Sequence, residues 1–441
     1  MKLPMLLTAL LAFLPADPFN ASDWPRFRGA DGTGSLADRA YPEEWDGEDN
    51  VAWTVDVPGA GWSSPVVVGG RIYVTTAVQP GGKGPAGFQE GVSDPMTRGQ
   101  SGEKPTEEVA FQLLCLGLDG GDTLWTREVG KLVPEYKVHP SNTYATSTPA
   151  SDGERLFVTY GALGQVICFD LEGEEKWRVD IGVHKTGSDF GWGISLVADG
   201  GLVFVQNDNE EASFLAALDA ATGSERWRVE RGKGTSWGTP ILLAGERPQL
   251  VACGADTVVS YAPDSGEELW RLTGMGSSFS SSPTSDGSHV FFGTSGPMSR
   301  GPLVAVPADA EGTIDIKDKE PAVAWVTDRA GPGFPSPVEH DGMLYVLGSP
   351  TQVACYDTAS GERLWRERLP DAATLVASPW VAGGELNVLD EEGRTFVMKA
   401  GREFELLRTN YLDGLFWSTP SVAGEALLVR SASRLHCIRA E

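Results

Sequence analysis

The stretch Leu218-Asp-Ala-Ala-Thr-Gly-Ser-Glu-Arg-Trp227 ends a short apolar run, turns through Asp219, Thr222 and Gly223, and sets a tryptophan into the run that follows. Asp and Thr side chains hydrogen-bond the backbone of a tight turn, and glycine supplies positive φ without steric cost. The unit recurs. LDGGDTLW ends at Trp125, DLEGEEKW at Trp177, APDSGEELW at Trp270 and YDTASGERLW at Trp365, with looser copies ending at Trp325 and Leu407.

A second unit lies between these turns: a small-residue or Pro start, a turn, then a β-branched or aromatic run. Its eight copies begin at Ser63, Ser147, Ile194, Gly238, Ser281, Pro335, Ala377 and Ser418, and each reads as a hairpin. Short apolar strands punctuated by turns, with hardly any helical periodicity, predict an all-β chain with four strands per repeat. Repeats of about 40 to 55 residues match the blades of a β-propeller. Strands a to d then run from axis to rim. The last copy, from Ser418, stops after strand c, while Val51 to Val57 (VAWTVDV) carries Trp53 in the Trp position and has no inner strands of its own. Pairing the two closes the ring and leaves no open sheet edge at the seam. The reading is an eight-bladed β-propeller of four antiparallel strands per blade.

Around this body, residues 1–21 place Lys2 before an apolar run and small residues, the layout of a signal peptide, and the run is shorter than the about 20 residues a membrane span needs. Residues 22–50 form an N-terminal extension expected to pack on the propeller through Trp24, Phe27 and Trp45, and 51–441 the single propeller. Residues 79–108, rich in Gly, Pro and charge, form a long loop inserted in the first blade. The 441-residue chain carries 61 acidic and 35 basic side chains, a net charge of −26 spread along its length. That field repels phosphate backbones and anionic lipid, so nucleic acid is excluded as an expected partner. Five cysteines, an odd number, with no CxxC or adjacent pair, read as core thiols in strands.

The turn at Ala217 to Trp227 resembles the tryptophan-docking motif of quinoprotein alcohol dehydrogenase propellers, Ala-x-Asp-x-x-Thr-Gly-x-x-x-Trp, and Cys355 to Trp365 resembles it with Cys in the Ala place. The resemblance, to the pyrroloquinoline-quinone-like repeat family, covers essentially Trp24 to Glu441. It implies that Trp53, Trp125, Trp177, Trp227, Trp270, Trp325 and Trp365 are structural, each packing on the Gly turn of a neighbouring blade. The quinone-dependent members of that family cap their cofactor with adjacent cysteines, and this chain has none. It therefore looks closer to the non-catalytic propeller of the bacterial outer-membrane assembly machinery, without that lipoprotein's lipidated cysteine.

Residues just ahead of each strand a converge on one end of an eight-bladed channel. Trp62, Tyr144, Trp192, Trp237, Phe279, Phe334 and Trp417 stand there as a collar, which either fills space between blades or offers flat faces to a ligand or peptide. His139, Asn142 and Tyr144, with His184, Asp189 and Trp192, make the densest polar clusters on the same face, equally explained by loop hydrogen bonding. Gln206 to Glu211 (QNDNEE) lacks the order of a calcium loop and reads as an exposed turn. No residue is assigned as catalytic or metal-binding, and no cofactor is expected.

The leading expectation is an exported, periplasmic or envelope-located monomer with no membrane span in its mature form. It acts as a non-catalytic scaffold binding an envelope protein or a small ligand at the collar. The alternative is a quinone- or metal-dependent oxidoreductase using the same face, with pyrroloquinoline quinone and Ca²⁺.

Overall fold

The computed structural model describes residues 19–20, 22–82, 84–87, 102–276, 279–296, 299–317, 323–348 and 350–440. The signal-peptide reading and the centre of the 79–108 loop lie outside the described residues, apart from Phe19 and Asn20 of the former.

Eight antiparallel sheets surround one axis. Blade 1 is Val66–Val68, Arg71–Val78, Val109–Gly117 and Thr123–Leu132. Blades 2 to 7 follow at 150–180, 197–230, 241–273, 284–327, 338–368 and 380–411. In blade 8, Ser421–Ala423, Ala426–Arg430 and Arg434–Ile438 are completed by Val51–Asp56, with Trp53 opposite Cys437. The ring is closed as the sequence predicts. Among the described residues the helical content is one three-residue 3₁₀ turn, Gly187–Asp189.

Strand burial follows from position in the blade. The middle strands of blade 3, Leu202–Asn207 and Phe214–Asp219, are buried almost end to end because a sheet faces each side of them. The outer Glu225–Glu230 alternates, with Trp227 turned in and charged residues turned out, and charge on an edge strand discourages pairing with other chains. All five cysteines are buried free thiols. Burial raises those of Cys115 and Cys437 to about 11 and those of Cys168 and Cys355 to about 12.

Tryptophan docking has the predicted form at five of the eight blade junctions. Trp177 donates from Nε1 to Ala220 O at 3.0 Å and lies on Gly223, where a Cβ would stand 2.7 Å from its ring. Trp53, Trp125 and Trp227 press on Gly121, Gly173 and Gly266 in the same way, and Trp325 on Gly361. Trp365 keeps the hydrogen bond, to Gly401 O at 3.0 Å, but its ring meets Phe404 edge to face where the others meet glycine. The remaining two junctions are filled differently. Trp270 is fully buried and donates within its own blade, to Gln249 Oε1 at 3.0 Å. A fifth strand from the following blade, Gly312–Asp315, pairs in parallel outside it. In blade 7 the docking register falls on Arg408, opposite Val397 just before the bulge, and not on Leu407, which is exposed. Arg408 is ion-paired with Glu385.

A belt of hydroxyls encircles the axis at the residues that start each strand a. The backbone N–H of Ser64 donates to Thr148 Oγ1, Thr148 to Ser195, Ser195 to Thr239, Thr239 to Ser282, Ser282 to Ser336, Ser336 to Ser378 and Ser378 to Thr419, at 2.9 to 3.0 Å throughout. The eighth link is replaced. Ser64 Oγ is buried without a partner, and Ser418 Oγ, Ser421 Oγ and Arg430 Nη1 instead donate to Ser63 O, Pro65 O and Ser63 O.

The N-terminal extension packs on the propeller at its innermost strands. Trp24 bridges Val67, Pro25 O accepts from Ser151 N, Arg26 reaches Ala198 O, and Ser35–Leu36 pairs in parallel with Val381–Ala382. Each partner belongs to an innermost strand, so the segment lies inside the ring. Arg28, fully buried, donates to the carbonyls of Pro283, Pro337 and Thr33, and burial lowers its pKa to about 10.

Candidate functional site

With the extension inside the ring near the a–b turns, the collar end is the end to search. Most of its residues are engaged with neighbouring loops, and two stack on each other. Trp62 is 5% exposed, donates to Ser141 O at 2.9 Å, and stacks on Trp417 with centroids 5.8 Å apart and planes at 21°. Trp417 in turn donates to Glu391 Oε2 at 3.2 Å. Phe279 is fully buried against Phe292. Trp192 lies over Gly161, where any Cβ would overlap its ring, and Trp237 donates to Gly191 O while meeting Phe190 edge to face. Tyr144 donates to Tyr136 O at 3.0 Å, and burial pushes its hydroxyl up to about 12. Phe334 differs from all of these, being 40% exposed.

The polar clusters brace loops. Asn142 Nδ2 donates to Phe190 O at 2.7 Å, and its Oδ1 accepts from Thr146 Oγ1 and Thr143 N, so this side chain ties together the lead-ins to blades 2 and 3. His139 is bonded to Ser141 Oγ at 2.7 Å and packs on Phe190, and burial holds its pKa below the usual histidine range. His184 faces Glu211 at 3.4 Å, and Asp189 faces Lys137 at 3.6 Å. The structure gives each histidine its own separate partner. Among the described residues no group of three or more His, Cys, Asp or Glu side chains is placed to hold a metal.

What these loops frame is a small recess between blades 2, 3 and 4, lined by Trp192, Thr159, Thr186, Gln206, Asn207 and Ser236 among others. Part of its wall comes from the segment read as an exposed turn. Glu210 and Glu211 are exposed, but Gln206, Asp208 and Asn209 are buried. Asp208 accepts from Arg231 Nε at 2.8 Å, Gln206 Nε2 at 2.7 Å and Ser236 Oγ at 2.6 Å, and Arg231 also donates to Tyr261 OH. Two of the three partners of Asp208, Arg231 and Ser236, sit far off in sequence, so spacing alone carries no signal of them. A polar run directly after an apolar strand b is the one available cue.

A flat quinone needs an open aromatic face, and Ca²⁺ needs several oxygen ligands. Trp62 and Trp417 cover each other and Phe279 is sealed. The five thiols lie in five different blades, so no two of them adjoin.

These features define an eight-bladed propeller built on tryptophan-docked repeats, with an internally strapped axis and a polar recess at the opposite mouth. The chain matches the family model described as outer membrane protein assembly factor BamB over residues 111–236, 211–333 and 254–435, and it belongs to that family. The overlapping matches reflect the repeats. A search of curated proteins finds no match. Among solved structures, BamB from Moraxella catarrhalis is similar at 13% identity and TM-score 0.58, covering 88% of this chain and 98% of that one. Quinohemoprotein alcohol dehydrogenase from Comamonas testosteroni is similar at 12% identity and TM-score 0.64, covering 97% and 82%. A europium-containing methanol dehydrogenase aligns at 13% identity and TM-score 0.60, covering 95% and 91%. At these identities the structural likeness establishes the fold alone, and propellers of one fold host unrelated functions. Among the described residues no helix is long and apolar enough to cross a membrane.

Proposed function

We propose that the protein is an exported, non-catalytic scaffold that holds an envelope protein partner at its collar end. The observation that carries this reading is membership of a family described as an assembly factor. Two local features agree with it. The collar end combines an exposed aromatic, Phe334, with a polar recess walled by Trp192, and partly exposed aromatics beside polar groups suit protein recognition. A rigid ring of cross-linked blades also holds such a surface without ordering cost on binding.

The test is photo-crosslinking in intact cells from a probe residue at position 334, compared with a probe at Asp199 on the strapped end. The scaffold reading expects one defined protein band from position 334 and none from 199. Equal recovery from both ends overturns the choice of face. A stoichiometric chromophore after incubation with pyrroloquinoline quinone and Ca²⁺, with dye reduction by alcohols, overturns the non-catalytic assignment in favour of the oxidoreductase alternative.

A further inference from the structure

Residues 22–56 tour the ring. Asp23 Oδ1 accepts from Gly69 N and Trp24 pairs with Val67 in blade 1, Pro25 binds blade 2, Arg26 blade 3, Arg28 blades 5 and 6. Ser35 Oγ meets His340 Nδ1 of blade 6 at 3.0 Å, and Ser35–Leu36 extends the sheet of blade 7. The chain then leaves the axis. Arg39 is ion-paired with Glu385, Tyr41 OH accepts from Trp380 Nε1 at 2.8 Å, and Glu43 O accepts from Arg408 Nε and Asn410 Nδ2 at 2.8 and 2.9 Å. Tyr41 and Trp45, both 3% exposed, fill the junction between blades 7 and 8, where no Gly turn exists to receive a docked tryptophan. Asn50 O accepts from Arg439 N, and the next residue opens the closing strand Val51–Asp56.

We propose that this continuous segment is a latch, in which opening of the axial channel and opening of the ring at blade 8 are one event. The connectors leave no slack for two independent events. Ala37 and Asp38 alone join Leu36, paired inside the ring, to Arg39, paired on blade 7, and three residue steps reach at most about 11 Å. At the junction of blades 8 and 1 the hydroxyl belt gives way to bonds from Ser418, Ser421 and Arg430 to Ser63 and Pro65, and Trp53 of the closing strand docks across that junction on Gly121. Closing strand, junction filler and axial segment are thus one covalent unit that spans blades 7, 8 and 1. Contiguous units of this kind exchange their amides cooperatively.

Native-state hydrogen exchange on the full chain tests this. Peptides covering 22–36, 51–56 and 434–438 are expected to share one opening rate and one urea dependence. Arg28→Gln, which alters only the channel end, is expected to raise exchange of all three by the same factor, on the order of tenfold for the loss of a charge-assisted bond. Arg228→Gln on the outer strand of blade 3 should leave them unchanged. If 22–36 opens on its own in the unmodified protein, or if Arg28→Gln accelerates only that peptide, the latch is wrong. The comparison within the unmodified protein decides the matter even if the variant does not fold.

Discussion

The backbone N–H of Thr148 donates to the hydroxyl of Ser195 at 3.0 Å, from the first residue pair of one blade to that of the next. A proline follows Thr148, as it follows six of the other seven belt residues, and proline has no N–H of its own. The residue ahead of it therefore carries the inter-blade bond, and Ser or Thr at that place both donates from the backbone and accepts at the side chain.

Ser195→Ala strands the buried Thr148 N–H and is expected to cost about 1–3 kcal/mol. Ser64→Ala removes a buried hydroxyl that has no partner, and should change stability by less than about 0.5 kcal/mol. Chemical denaturation of the two variants checks the contrast; equal losses would remove the belt's energetic role.

Gly223 has φ +73° and lies under the Trp177 ring. Gly223→Ala combines backbone strain with overlap against a rigid aromatic, and a loss of about 1–3 kcal/mol is expected, together with a change in Trp fluorescence. An unchanged unfolding midpoint would show that Trp177 can move aside at no cost.

The Asp208–Arg231 pair is almost completely buried, with side chains 1% and 5% exposed. Asp208→Ala leaves a buried guanidinium without its counter-ion, for an expected loss of about 3–5 kcal/mol. Replacing both residues with apolar side chains should cost less than the single change. A larger loss in the double variant than in Asp208→Ala would contradict this account.

His436, on strand c of the closing blade, is held at a pKa of about 4, by burial first and by the nearby Arg434 second. Its folded value lies below its unfolded one, about 6.5, so the unfolded chain binds the extra proton between them. Stability from this group is complete above about pH 6.5 and is lost as pH falls toward 4, by on the order of 3 kcal/mol. Asp413 and Thr54 are its other polar neighbours. Urea midpoints for His436→Gln should fall less steeply over that window than those of the unmodified chain, and parallel curves would refute the assignment.

Local chemistry made much of this protein legible in its sequence. Tight turns need Gly and Asp, outer strands alternate, inner strands are continuously apolar, and an unmatched outer strand at Val51 needs an unmatched inner set, which exists only at the C-terminus. Those rules act within a few residues, so they give strand order, blade number and closure. Tertiary structure decided the rest, because it depends on what meets across the ring. Blade 7's docking place is Arg408 because pairing across the sheet leaves Leu407 as the residue skipped at the bulge, as Arg226 is in blade 3. The inward position of Trp270 comes from a strand lent by the next blade. The burial of Gln206 and Asp208 comes from Arg231, Ser236 and the backbone carbonyl of Cys253 arriving from other strands. Most of all, a polar-looking N-terminal segment reads as surface until the ring forms, and only then do strand-a carbonyls and the edge of blade 7 give its backbone and Arg28 buried partners.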